Sequence, residues 1–187
     1  MPARPRTSLR KAPTPRTPAR GRAAVPDAIA MLEDDHRNVA AMFEQFDKLR
    51  SDGVRKAQLV ARLCQALTVH AKVEEEIFYP AARSVLEDPS LIDPSDVEHA
   101  MARSLIADVE SAKPGDGHYD AKVQVLGEYV RHHVRSEQEK LFPKLRRTHL
   151  DMKVLGERIA VRKRELAGML SNPSAGDDAM RRFVPLV

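Results

Sequence analysis

One interval of 63 residues relates metal-binding residue types in two parts of the chain, and it restricts the fold more than any other feature. His36 and His99 lie 63 positions apart (99 − 36). The acidic residues just before them, Asp35 and Glu98, keep the interval. So do the residues of a later motif: His70 and His133, Glu74 and Glu137, and Pro80 and Pro143. Five positions in register predict a duplicated helical hairpin, each copy giving two histidines and one carboxylate to a shared site.

Hydrophobic periodicity predicts helix through most of the chain after residue 26. Apolar residues and the repeated histidines recur at spacings of three and four, which places them on one helix face. Turn residues separate the ranges that we predict as helices, 27–50, 54–86, 94–112, 118–148 and a shorter 151–170. Asp93 is expected to cap the third helix, and Pro80 and Pro143 to bend the second and fourth. We predict an all-α fold: an up-down-up-down four-helix bundle of two duplicated helical hairpins, plus a short C-terminal helix.

Composition divides the chain into three parts. Residues 1–26 are rich in Pro and Arg and have no hydrophobic periodicity, which predicts a disordered N-terminal tail. We place the bundle at 27–150, and a helix with a frayed end at 151–187. Positions 1–25 hold seven of the 31 basic residues and no acidic one, so 24 basic residues face 27 acidic ones in the remainder. The remainder therefore carries about −3, and nucleic-acid binding is expected at most weakly, through residues 1–25.

The location of the protein is predicted from three features. A single cysteine, Cys64, excludes a disulfide framework, and we expect it to be a buried apolar residue. No apolar run approaches the roughly 20 residues of a membrane span. The Arg-rich, acid-free tail has the composition of an organellar transit peptide, but we interpret it as a solvated extension. We therefore expect a cytoplasmic protein without a membrane partner.

The repeated histidines and glutamates lie on the helix faces that otherwise carry apolar residues. Burying such groups without partners is costly, and a bound metal ion would remove that cost. His70 and Glu74 are separated by four residues, as are His133 and Glu137, so each pair lies on one helix face. The sequence therefore predicts six metal ligands without sulfur: His36, His70, Glu74, His99, His133 and Glu137.

The kinds of ligand indicate which metal would bind. Mg²⁺ and Ca²⁺ prefer oxygen cages, whereas imidazole with bridging carboxylate suits iron or manganese, and zinc in part. Two carboxylates that can each span two ions suggest a two-metal site. Two imidazoles, one oxygen from each bridging glutamate and a bridging oxo, hydroxo or water would fill five positions on each metal. An octahedral ion would then keep one position for a small ligand.

The strings from His70 to Pro80 and from His133 to Pro143 resemble the two HxxxE…P signatures of hemerythrin-like (HHE cation-binding) domains. The pairs Asp35-His36 and Glu98-His99 match the family's other histidines. The resemblance covers residues 28–148. It implies a four-helix bundle with two iron ions in a non-haem centre, the four histidines as terminal ligands and the two glutamates as bridges. It also implies an interaction with O2, NO or peroxide in sensing, storage or stress protection.

The sequence departs from the O2-carrying hemerythrins in two places. Arg103 stands where those proteins have a further histidine, and Glu137 follows His133 by four residues rather than five. Both departures argue against reversible O2 transport. Alternative functions are a metal-stabilised regulatory module that uses the basic tail, and a ferroxidase-like enzyme. Catalytic turnover, the oligomeric state and any ligation by Glu75, Tyr129 or His132 are left open.

Overall fold

The computed structural model describes residues 27–49 and 53–170, and the predictions of a disordered tail and a frayed C-terminus lie outside these ranges. The chain forms α1 (Ala28–Lys48), α2 (Gly53–Val73), a π-helical segment (Glu74–Phe78) and α3 (Tyr79–Arg83). A 3₁₀ turn (Pro89–Ile92) leads into α4 (Asp93–Glu110). Then follow α5 (Tyr119–Ser136), a second π segment (Glu137–Leu141), α6 (Phe142–Leu145) and α7 (Met152–Leu170).

These elements form four main helices and one C-terminal helix, so the predicted fold class is confirmed. Helix α1 packs on α2, and α4 packs on α5, which are the two predicted hairpins. The hairpins meet through α1 with α5 and α2 with α4, and α7 lies against α1 and α2. Among the residues that the structure describes, no helix is long and apolar enough to cross a membrane.

The helix boundaries follow local chemistry. The carboxylate of Asp27 accepts a hydrogen bond from the Ala30 amide at 2.9 Å and caps α1, as Asp residues commonly do. The expected capping role of Asp93 is wrong. The N-cap of α4 is Ile92, since the 3₁₀ turn runs directly into the helix, and Asp93 instead accepts a hydrogen bond from Arg83 at 2.7 Å.

The core is divided into two apolar clusters along the bundle axis. The first includes Leu32, Val73 and Phe142, together with Leu155 and Ile159 of α7. The second lies towards the loop between α4 and α5 and includes Val39, Leu67, Ile106 and Val130, with the buried Cys64. The predicted burial of Cys64 is confirmed. In the sequence, each repeated histidine falls between residues of one cluster and residues of the other, which positions a polar layer across the bundle.

Candidate metal centre

The polar layer contains all six of the residues that the sequence singles out. Helices α1, α2, α4 and α5 contribute one histidine each, and the two π segments begin with the two glutamates. Each of the six side chains is buried, and Glu74 is 0% exposed. The structure thus brings together His36, His70, Glu74, His99, His133 and Glu137.

The four imidazoles form two pairs that face each other through their Nε2 atoms. His36 Nε2 lies 3.1 Å from His70 Nε2. His99 Nε2 lies 3.2 Å from His133 Nε2. Each pair combines the first histidine of one repeat with the HxxxE histidine of the same repeat. The His36–His70 pair and the His99–His133 pair are called below the first and second halves of the centre.

The two glutamates lie between the halves. Glu74 Oε2 is 3.1 Å from His70 Nε2 in the first half and 3.3 Å from His99 Nε2 in the second. Glu137 Oε2 is 3.3 Å from His36 Nε2 and 3.6 Å from His133 Nε2. These residues form two groups whose atoms are close enough together to hold a metal ion. Glu74 belongs to both groups. The arrangement is consistent with a binuclear metal site.

Three of the four imidazoles contact a carboxylate through Nδ1, the nitrogen that faces away from the other imidazoles. His70 Nδ1 lies 3.3 Å from Asp35, His99 Nδ1 2.9 Å from Glu75, and His133 Nδ1 2.8 Å from Glu98. A carboxylate accepts hydrogen bonds, so each Nδ1 carries a proton, and loss of the Nε2 proton would turn a lone pair towards the other imidazole of the pair. Lone pairs that face each other at about 3 Å repel unless a cation lies beside them.

Two buried carboxylate oxygens point to the same conclusion. Within the described part of the chain, Glu74 Oε1 and Glu137 Oε2 have no hydrogen-bond donor. A buried ionised oxygen that lacks a donor is costly. Metal ions held in the two halves would satisfy these oxygens and the Nε2 atoms together, so the residues fit bound cations.

Without metal, protons take the place of the cation. Burial alone would lower the pKa of His70, but Glu74 and Asp35 outweigh it and raise that pKa from 6.5 to about 10. Burial likewise opposes protonation of His99, yet Glu74 and Glu75 raise its pKa to about 9. Burial would raise the pKa of Glu74, but His70 and His99 hold it well below its usual range. The centre therefore favours positive charge around an anionic Glu74.

Comparison with known proteins identifies the family. The hemerythrin HHE cation binding domain matches residues 27–145, which span the whole polar layer. The chain belongs to the hemerythrin HHE cation-binding domain family. It is 28% identical over 122 residues, 65% of its length, to a DNA nickase of Nostoc sp. strain PCC 7120, and it spans only 33% of that protein.

A solved structure shows the same fold. It is the crystal structure of a hemerythrin HHE cation binding domain-containing protein from Mycobacterium kansasii, which superposes with a TM-score of 0.67. The match covers 76% of this chain and 88% of the other at 18% sequence identity. At this identity the likeness extends to the fold alone.

Tyr79 lies at the hemerythrin-like centre, although sequence reasoning missed it. Its buried hydroxyl donates to Glu137 Oε1 at 3.0 Å and lies 3.3 Å from His99 Nε2. Burial and the charges of Glu74 and Glu137 raise its pKa well above the usual range, so the hydroxyl keeps its proton in the metal-free chain. The sequence carries no signal for this placement, which depends on the π segment: the Tyr79 amide bonds to the Glu74 carbonyl and aligns two residues that are five apart.

The residues left open in the sequence take other places. Glu75, whose role as a ligand was left open, contacts His99 Nδ1 and Arg103. It does not belong to either group of close metal-binding atoms. His132 is mainly solvent-exposed and lies 3.5 Å from Glu98. Tyr129 is half-buried on the wall of a cavity. Arg103 contacts Glu75, which in turn contacts His99.

A cavity of about 260 Å³ reaches the centre from one side. All four histidines contribute to its lining, and neither Glu74 nor Glu137 does. Part of its wall is aliphatic, formed by side chains of α1, α2, α4, α5 and α7 that include Val39, Leu67, Ala102, Ile106, Val130 and Leu166. Charged side chains complete the lining: Asp35, Lys72, Glu75, Glu98, Arg103, Glu110 and Arg162.

Proposed function

We propose that this protein holds two iron ions in a non-haem centre and that the centre binds O2 or a related small molecule, NO or peroxide. The observation that carries the proposal is the arrangement of four imidazoles, in two pairs, around two buried carboxylates. In this arrangement His36, His70, His99 and His133 are terminal ligands, and Glu74 and Glu137 are bridges. Nitrogen and carboxylate donors without sulfur suit iron better than magnesium, calcium or a thiolate-bound metal.

The side chains of the protein prepare the centre in three ways. The carboxylates of Asp35, Glu75 and Glu98 fix the orientation of three imidazoles. The Tyr79 hydroxyl holds a proton beside Glu137 Oε1. The cavity beside the four histidines gives a small neutral molecule a route to the centre. Iron, when bound, supplies a redox-active ion with a position open to such a ligand.

Loading the metal-free protein with Fe(II) and admitting air tests the proposal. We expect two irons per chain and a new absorption band in the near ultraviolet. Anaerobic Fe(II) protein mixed with O2 or with NO should then show which ligand changes the spectrum. Protein that binds no iron under these conditions would sink the proposal.

The same experiment tests one further activity. Consumption of Fe(II) well beyond two equivalents per chain would identify a ferroxidase-like enzyme. The name of the Nostoc relative suggests DNA strand cleavage. The excess of acidic residues after position 25 gives no support to a DNA-binding surface on the bundle.

A further inference from the structure

The duplication makes it possible to compare the two halves of the centre residue by residue. Positions related by the 63-residue interval carry the same ligand types but different surroundings. Glu75 corresponds to Gln138, and each contacts the Nδ1 atom of the first histidine of the other repeat's hairpin, His99 at 2.9 Å and His36 at 3.3 Å. A carboxylate in one half is therefore replaced by an amide in the other.

Each of the four imidazoles has one side chain in contact with its Nδ1 atom, called below its backing group. The charges of the four backing groups can be compared between the halves. Asp35 lies behind His70 and also contacts Lys163 of α7. Glu75 lies behind His99 and also contacts Arg103. Each of these carboxylates contacts a basic side chain, so these two arrangements are similar in the two halves.

The other two backing groups, Glu98 and Gln138, differ in charge. In the second half, Glu98 accepts a hydrogen bond from His133 Nδ1 at 2.8 Å and contacts the exposed His132. In the first half, the neutral amide of Gln138 lies 3.3 Å from His36 Nδ1. A carboxylate behind an imidazole makes its other nitrogen a stronger donor to a metal, and such partners change metal affinity by about 10- to 100-fold.

Both bridging glutamates contact both halves, but Glu74 lies 0.2 Å (3.3 − 3.1) and Glu137 0.3 Å (3.6 − 3.3) nearer the first half, whose group of close metal-binding atoms is the one that includes Glu137. So small a displacement of two oxygens that reach both halves changes the attraction for a cation less than the full charge of Glu98 does. The aromatic neighbours act in the same direction as the backing groups. Phe142 stacks on His36, whereas its counterpart Tyr79 places a hydroxyl 3.3 Å from His99 Nε2. The second half thus has a polar hydroxyl beside its imidazoles and an additional negative charge among the groups at their Nδ1 atoms.

We propose that the two metal positions differ in affinity and that the first divalent ion occupies the second half, between His99 and His133. The proposal rests on the two-metal part of the proposed function and is independent of the identity of the metal. It assigns to Glu98 and Gln138 the role of positioning residues that set the order of filling. The first half, between His36 and His70, then holds the more readily exchanged ion.

Crystals of the metal-free full chain grown with one equivalent of Co²⁺ test the order directly, because anomalous scattering locates the ion. We expect occupancy of the second half to exceed that of the first by roughly tenfold, the lower end of the effect of a backing carboxylate. Equal occupancy, or preferential occupancy of the first half, would overturn the proposal. Its failure is distinct from failure of the proposed function, since two Co²⁺ ions bound without order would leave a two-metal centre intact.

Exchanging the two backing groups provides the decisive variant. Glu98→Gln combined with Gln138→Glu moves one negative charge between the halves with little change of shape, and should move the first ion to the His36–His70 position. Glu128→Gln, which removes an exposed carboxylate on α5, is the matched control and should leave the ion in place. An exchange variant that still places its first ion between His99 and His133 would contradict the assigned role. The wild-type measurement stands even if the double variant fails to fold.

Discussion

Glu74 differs from the other residues of the centre because it belongs to both groups of close metal-binding residues. We predict that Glu74→Gln lowers the metal content from two ions per chain to one or none, because both halves lose an anionic oxygen. Elemental analysis after loading and desalting measures this content. Glu76→Gln, an exposed neighbour paired with Arg162, is the control and should keep two ions. Two tightly held ions in Glu74→Gln would show that the glutamate is not a bridge.

The environment of Cys64 makes its thiol unreactive. The side chain is fully buried, and burial raises the pKa of the thiol from 9.0 to about 12. The reactive thiolate is therefore scarce at neutral pH as well as sterically protected. We predict that the native protein does not react with a disulfide reagent for free thiols at pH 8, and that the unfolded protein reacts with one thiol per chain. Rapid labelling of the native protein would contradict the buried placement.

The sequence predicted the six residues that the structure brings together because an exact 63-residue register does not depend on three-dimensional detail. It did not predict Tyr79, since residues five apart do not share a face in a regular α-helix. The contact of Glu75 with His99 was missed for a related reason. It depends on how α4 packs against the end of α2, which no local pattern in the sequence encodes.

At the scale of the secondary-structure elements, the π segments explain how Pro80 and Pro143 fit within long helices. Proline lacks an amide proton, and its ring clashes with the carbonyl four residues earlier. Each of these prolines comes two residues after a π segment, where the wider turn has already displaced that carbonyl. Periodicity and turn residues were enough to predict the main helices to within a few residues at most ends. The sequence indicated bends at both prolines, but it carried no signal for a change of helical register.

The π segments should be sensitive to the prolines that follow them. We predict that Pro80→Ala favours a regular α-helical turn at Glu74–Phe78 and rotates Tyr79 away from Glu137. Because the ligand geometry depends on this turn, metal affinity should fall by about tenfold, a typical effect for residues that support metal ligands. Competition with a coloured chelator measures the affinity for Zn²⁺. Pro94→Ala, at the exposed start of α4, is the control. An unchanged affinity would show that the proline is not required for the π turn.

At the scale of the whole molecule, the centre is a layer of charge between two apolar clusters, so metal binding and folding are coupled. The site is assembled from four helices and α7, which contacts the centre through Lys163 and Asp35. We predict that loaded protein is more stable than metal-free protein, since metal binds the folded chain preferentially. At a free metal concentration 100 times Kd, the gain is about 2.7 kcal/mol, or roughly 5–10 °C in Tm for a chain of this size. Calorimetry of both forms checks this, and equal Tm values would argue against a buried site.

The stability of the metal-free protein should also depend on pH in a direction that the imidazoles determine. Folding raises the pKa of His70 from 6.5 to about 10 and that of His99 to about 9. A raised pKa means that the folded chain binds protons more strongly than the unfolded chain. The resulting stabilisation is therefore complete below pH 6.5 and is lost as the pH rises through about 9 to 10. We predict that the urea midpoint of the metal-free protein falls steadily across this window. The loaded protein should show a smaller decline, because its imidazoles are already deprotonated by the metal.

Replacing both His70 and His99 with Gln should flatten the dependence of the metal-free urea midpoint on pH. A midpoint that rises with pH in the unaltered metal-free chain would refute the assigned charge balance.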